Sequence, residues 1–484
     1  MAFMTKNQYL KTMQELKPNL YAFGKKVDNV MEFGLTRANI NAVALTYEHV
    51  ADRPVLRAHS DLTGGEINRF TSVHMTQDDL FKRLEMMRWL TPQHGGCVGA
   101  RCVGCDGIQA VYATSYDIDK ACGTHYHDNF KKWLRNVQEK DLSVAGMMTD
   151  IKGDRRCKPS QQPNPDAFVH VVERREDGII VRGAKAHMSG APVAHEFLVM
   201  PTENMLEPDA DYAVSFALPN GTEGVTQVFE APAGNWRWID GGDLDKGNFK
   251  YGIHGASLVV FDNVFVPWER VFMCGEWQRS GDMVLRFADM HRFTFASCKS
   301  GHCDLVAGTC SLAAEIIGVE KVSHVKDKIS EIIEMSELCY GAALASAALC
   351  QQTPCGSYMP NTLYVNLAKI QGIKSVYRAG EICAEIAGGL VCTQPTQKDF
   401  DNPTTGPMLD KYLKARGDIS AKDRIKLLRF AEYLMGQGSV IPAESLLGGG
   451  TPAACRVMVK ASSNVKYYRK CVQNIIDLDE FPKG

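Results

Sequence analysis

Residues Gly95–Asp106 read GGCVGARCVGCD and carry Cys97, Cys102 and Cys105. Residues Met290–Cys303 read MHRFTFASCKSGHC and carry His291, Cys298, His302 and Cys303. The two stretches are too far apart in the chain for a local hairpin to join them. If they meet, a strand-rich middle has been folded in between a helical start and a helical end.

His291 and Cys298 are seven residues apart. On a helix both leave the same face, about 10 Å apart along the axis. Cys97 and Cys102 lie within one bend and can converge. Three thiolates and one imidazole are a soft donor set that suits iron–sulfur or zinc. The spacing matches neither a ferredoxin run nor a zinc finger. On spacing alone, buried core cysteines, a satisfied interface histidine next to Arg292 and a structural Cys₃His zinc site all stay open.

Working outward, residues 1–140 read as an N-terminal helical domain. Thr5 caps KNQYLKTMQEL, and Thr76 with Asp79 caps DDLFKRLEMMRWL. Gly34–Asn41 and Arg57–Gly65 read as loops, and a helix is expected over Cys102–Tyr116. Residues 141–275 read as a β domain, a barrel or a pair of small sheets. There AFVHVVERR and IIVRGAKAH flank the Asp177–Gly178 turn, with HEFLVMPT, DYAVSFALP and SLVVFDNVFVP following. Residues 276–484 return to long apolar-periodic helices, among them Tyr340–Cys350 as a buried one. The fold class expected is α+β.

The chain has 484 residues, a formal net charge of -2 and sixteen cysteines. Near-neutral charge argues against a nucleic-acid binder. MAFMTKNQYLK lacks a signal-peptide core, and no apolar run is long enough to span a bilayer, so a cytoplasmic enzyme is expected. In a reducing cytosol the cysteines serve as ligands, as catalysts or as core residues. Cys310, Cys339, Cys350 and Cys383, set among Ala, Leu and Ile, read as core. There is no GxGxxG or P-loop pattern.

Six segments together resemble one family: HRFTFASCK, MTDIKGDR (Met148–Arg155), RGAKAHMSG (Arg182–Gly190), FDNVFVPWERVF (Phe261–Phe272), HVKDK (His324–Lys328) and AEIAGGL (Ala384–Leu390). This is the 4-hydroxyphenylacetate 3-monooxygenase / 4-hydroxybutyryl-CoA dehydratase family, and the likeness is to its dehydratases. The resemblance implies an acyl-CoA-dehydrogenase-like fold, a homotetramer, FAD and a [4Fe–4S] cluster. Cys102, His291 and Cys298 match the family's ligand positions. The fourth ligand departs, because the family has Cys-x₃-Cys where this chain has Cys97-x₄-Cys102, with Val98 at the expected place. Gly95, Gly96 and Gly99 can absorb the shift; an altered corner or no cluster are the other readings. Phe295 and Ala256-Ser257 stand where the family has a tyrosine and a glutamate.

For FAD, the resemblance implies Thr149, Asp150, Lys152 and Arg155, with His187 and Ser189 completing the wall. Gly388 and Gly389 follow a helix and would either offer free backbone N–H groups to the pyrophosphate, from a neighbouring subunit, or simply form a C-cap. The implied reaction is radical dehydration of a 4-hydroxyacyl-CoA to an enoyl-CoA, with no net redox change and a vinylacetyl-CoA isomerase side activity. His291 would act as base or acid once off the iron. Glu444 would be a second proton carrier, and Lys299 would orient the site or tune its charge. The alternative is a flavin-dependent aromatic hydroxylase without a cluster.

Overall fold

The computed structural model describes residues 3–231, 236–252, 255–436 and 439–478. Its first segment holds α1 (Lys6–Glu15), α2 (Gly34–Val50), α3 (Gln77–Gln93), α4 (Arg101–Cys122) and α5 (Tyr126–Glu139). Thr5 and Thr76 start α1 and α3 with reciprocal capping boxes to Gln8 and Asp79, as the sequence predicts. Gly34–Asn41, expected as a loop, is instead the first half of α2. Leu35, Ala38, Ile40, Ala42, Val43 and Ala44 are all buried there, so tertiary burial overrides the weak local propensity of Gly, Thr and Asn. The other expected loop, Arg57–Gly65, contains β3 (Arg57–Ser60) and the start of β4 (Gly65–Asn68), an antiparallel pair with Ser60 opposite Gly65.

The middle strands are β5 (Val144–Met147), β6 (His170–Arg174), β7 (Gly178–Ser189), β8 (Glu196–Val199), β9 (Val214–Pro219), β10 (Val225–Glu230), β11 (Ala256–Pro267) and β12 (Val271–Cys274). β6 and β7 are the hairpin that Asp177–Gly178 predicts. Among the described residues the strands form two sheets rather than one closed barrel, ordered β2-β1-β10-β11-β7-β6 and β12-β9-β8-β5. Here β1 (Leu20–Ala22) and β2 (Lys25–Lys26) come from the helical start, and β1 runs parallel to β10. Val181, Phe197, Phe216, Val259 and Phe261 fill the core shared by the two sheets, as alternating inward residues should.

After two one-turn helices, α6 (Trp236–Ile239) and α7 (Asp243–Lys246), the last segment begins with α8 (Ser280–Ile317), 38 residues long. α9 (Ser323–Ala348) and α10 (Thr362–Ala387) pack against it. The shorter α11 (Gln397–Asp401), α12 (Gly406–Tyr412), α13 (Ala421–Met435), α14 (Ile441–Leu447), α15 (Pro452–Ser462) and α16 (Val465–Ile475) complete the segment. Cys310, Cys339 and Cys383 are buried among apolar side chains, while Cys350 is only partly buried. The Tyr340–Cys350 run is buried on one face, through Ala343, Ser346 and Ala347, and Leu349 is exposed.

Candidate active site between α4 and α8

The α3–turn–α4 hairpin clamps α8. Ser297 donates to the Leu84 carbonyl, and a side chain on Gly301 would lie 2.8 Å from the Arg88 carbonyl oxygen. Between α3 and α4 the backbone is left-handed at Gly95, Gly96, Gly99 and Ala100, with φ 65°, 109°, 68° and 63°. Gly99 has no alternative, because a Cβ there would meet Asn39 and Val43 at 2.6 Å. This turn delivers Cys97, and α4 delivers Cys102, to the side of α8 that carries Cys298.

The three thiols act on one another electrostatically. Burial, with Glu444 and Cys298 nearby, pushes the Cys97 thiol up to about 12. Burial also pushes Cys102 well above its ordinary value, with Asp106, Cys298 and Cys97 adding to it. Without a cation such thiols stay protonated, and a bound metal centre would be what ionises them. Among the described residues, no group of three or more His, Cys, Asp or Glu side chains closes around a single metal ion. Cys105 points elsewhere, its Sγ 3.8 Å from the Arg69 carbonyl oxygen. Cys303 is core. His302 is fully buried against the Gly96 turn.

His291 Nδ1 lies 3.0 Å from Asp106 Oδ2. Asp106, fully buried, also accepts from Thr294 Oγ1 at 2.7 Å and from Arg83 Nη2 at 3.3 Å. The other imidazole nitrogen, Nε2, faces the Gly448–Gly449 loop. Helical spacing accounts for the arrangement. Asp106 is one turn after Cys102 on α4, and Thr294 lies between His291 and Cys298 on α8. Neither Asp106, Thr294 nor Arg83 was singled out from the sequence, although the i, i+4 step from Cys102 was there to be read.

Lys299 is buried with Nζ 3.6 Å from Glu444 Oε2. Burial works against its charge, but Glu444, Cys298, Cys97 and Cys102 outweigh that and hold Lys299 above the ordinary lysine value. Sequence reasoning missed a second lysine, Lys369 on α10. It is fully buried and donates at 2.7 Å to each of the Ser445 and Gly448 carbonyls. Its Nζ lies 3.4 Å from the Phe295 ring centroid. Burial, reinforced by Lys299, pulls Lys369 down to about 7, whereas the two carbonyls and the ring favour its charged form. No local motif marks this residue in the sequence.

Of the segments expected to hold a flavin, the end of β7 adjoins this face. A side chain on Gly190, which follows Ser189 at the end of β7, would lie 3.2 Å from the Gly99 carbonyl oxygen. The Asp150 carboxylate is taken up within the protein. It pairs with buried Lys185 at 2.7 Å and accepts from the Val169 N–H at 3.0 Å, so it anchors the loop. Thr149 accepts the Ala186 N–H through its carbonyl, and no hydrogen-bond partner holds its hydroxyl among the described residues. Lys152 and Arg155 are exposed. His187 sits at φ 60° with its N–H donated to Glu230, an uncommon conformation for a side-chain-bearing residue. Gly388 takes the C-cap reading. Its N–H is not free but caps α10 by donating to the Ala384 carbonyl at 3.0 Å. Both glycines are exposed, with open space around them.

Helical, sheet and helical segments bring Cys97, Cys102 and Cys298 together beside the half-buried imidazole of His291. Residues 5–273 match the 4-hydroxyphenylacetate 3-hydroxylase N-terminal family and residues 280–477 the corresponding C-terminal family, and the chain belongs to that family. It is 40% identical, over 98% of its length and 99% of the relative's, to the 4-hydroxybutyryl-CoA dehydratase/vinylacetyl-CoA-Delta-isomerase of Clostridium aminobutyricum. The oxygen-tolerant archaeal 4-hydroxybutyryl-CoA dehydratase from N. maritimus superposes with a TM-score of 0.96 at 34% identity, covering 100% of this chain and 97% of that one. The oxygenase component of 4-hydroxyphenylacetate 3-monooxygenase complexed with FAD gives 0.85 at 25% identity, covering 98% of each chain. The chain thus lies on the dehydratase side of the family, among hydro-lyases. Among the described residues no helix is long and apolar enough to cross a membrane.

Proposed function

We propose that this protein removes water from a 4-hydroxyacyl-CoA to give an enoyl-CoA, using FAD and a [4Fe–4S] cluster. The observation that carries the reading is the shared electrostatic neighbourhood of Cys97, Cys102 and Cys298, with His291 backed by a carboxylate and its Nε2 unused. A carboxylate behind a histidine is the usual support of a metal-ligating imidazole. These four residues would hold the cluster. Thr149, Lys152, Arg155, His187 and Ser189 would hold the flavin, with Gly388 and Gly389 reaching that of a neighbouring copy. When bound, the flavin supplies one-electron chemistry at the acyl chain and the cluster supplies a Lewis acid for the departing hydroxyl.

The chain's own residues supply positioning and proton movement. His291 Nε2, when it is not a ligand, would accept or return a proton on the side facing Gly448–Gly449, and Glu444 would be the second carrier. Lys299 keeps that pocket cationic, which favours the enolate formed when an α proton leaves the thioester. A homotetramer fits the exposed apolar side chains of Val457, Val472 and Ile475 on α15 and α16. The test is anaerobic purification followed by iron, sulfide and flavin analysis, with an assay against hydroxyacyl-CoA thioesters. About four iron atoms and one FAD per chain are expected, with dehydration abolished in Cys298→Ala. Iron-free protein that hydroxylates phenols when given reduced flavin would overturn the reading.

A further inference from the structure

We infer that Asp106, held by Arg83 and Thr294, is a positioning residue that sets the tautomer of His291 and keeps Nε2 a bare lone pair. The inference rests on the reading above, in which His291 is both ligand and proton carrier. Salt-bridged to Arg83, the Asp106 carboxylate accepts hydrogen bonds, so the 3.0 Å contact at Oδ2 places a proton on His291 Nδ1. The carboxylate cannot turn to trade roles. Its Oδ1 is taken by the Thr294 hydroxyl at 2.7 Å and by Arg83 at 3.3 Å, and a guanidinium has nothing but donors. All of this lies out of solvent, with Arg83 and Asp106 both fully buried. Nε2 has no hydrogen-bond partner among the described residues and faces the Gly448–Gly449 loop. A site that needs an imidazole able to bind a metal or take a proton is therefore preset before either arrives.

Asp106→Asn tests this because it keeps the shape and reverses the chemistry. The introduced amide must turn its oxygen to Arg83, which leaves its NH₂ facing His291. Nδ1 then becomes the acceptor and the proton moves to Nε2. In cluster-free chain labelled with ¹⁵N-histidine, and assigned with His291→Gln, the nitrogen shifts should report Nδ1–H in the wild type and Nε2–H in Asp106→Asn. Thr294→Val, which removes a contact to Asp106 without offering a new donor to the imidazole, should leave the tautomer unchanged. In the anaerobic holoenzyme Asp106→Asn should weaken iron binding at the histidine corner by about 10–100-fold, with loss of the imidazole-nitrogen coupling in the reduced cluster's spectrum. A wild-type Nε2–H tautomer, which needs no variant to fold, overturns the inference. So does an unchanged tautomer in Asp106→Asn. Wild-type protein that takes up no iron sinks the ligand reading instead and leaves the tautomer result standing.

Discussion

Gly449→Ala puts the closest wall of the candidate site under direct strain. Gly449 has φ 72°, and a Cβ there would lie 3.0 Å from His291 Cδ2. Left-handed backbone costs a residue with a side chain about 1–2 kcal/mol. At an unfolding entropy of roughly 2 cal/mol/K per residue, that lowers Tm by only about 1–2 °C in a chain of this length. The contact itself is tighter than ordinary packing, so His291 must give way by a few tenths of an ångström. Because a 1 Å misplacement near the reacting atoms costs on the order of 100-fold, a loss of about 3–10-fold in kcat is expected. Gly448→Ala is the control. Its backbone is extended, with φ -66° and ψ 133°, and its Cβ would lie 3.8 Å from His291 Nε2 and 3.1 Å from the Glu444 carbonyl oxygen, so it should keep most of the activity. Steady-state dehydration by both variants, beside their melting curves, checks the comparison. Equal activity in the two would refute the placement of His291 in the working wall.

Lys369→Met should cost about 2–3 kcal/mol, because it strands the buried Ser445 and Gly448 carbonyls while relieving a buried charge; thermal melting that matches the wild type would contradict it. Ala100 holds a left-handed backbone at φ 63°, so Ala100→Gly should gain about 1 kcal/mol, read as a raised Tm with Cys97 still in place. Burial, with His49 and Lys299 respectively, pulls His94 and His302 down to about 3. The unfolded chain therefore binds more protons than the folded one between pH 3 and 6.5. Stability is complete above 6.5 and falls with pH, by about 2 kcal/mol per histidine at pH 5. The double variant His94→Gln/His302→Gln should flatten the dependence of Tm on pH in that range, and an unchanged slope would count against it.

Much of this was legible in the sequence where a local physical rule decides the outcome. Capping at Thr5 and Thr76 needs only neighbouring side chains, and the Asp177–Gly178 hairpin needs only a turn residue. The rest depends on distant partners. α2 is a helix because most of its surface is buried. β1 joins β10 across the whole middle of the chain. Lys369 lies in a helix with no motif, and only the carbonyls at the end of α14 give it a role. Asp150 shows the opposite case: its carboxylate is the loop's internal anchor, because Lys185 approaches from β7.

The Cys97–Cys102 spacing makes sense once partners are read along α8. Asp106 meets His291 and Thr294, Cys102 lies in the field of Cys298, Cys97 in that of Cys298 and Lys299, and the Gly96 turn meets His302. As numbers rise along α8 they fall along the partner segment, so the two run antiparallel. The helical part of that segment begins at Arg101. The step from Cys97 to Cys102 therefore passes through the left-handed turn of Gly99 and Ala100, while Cys102 and Asp106 lie in helical register against α8.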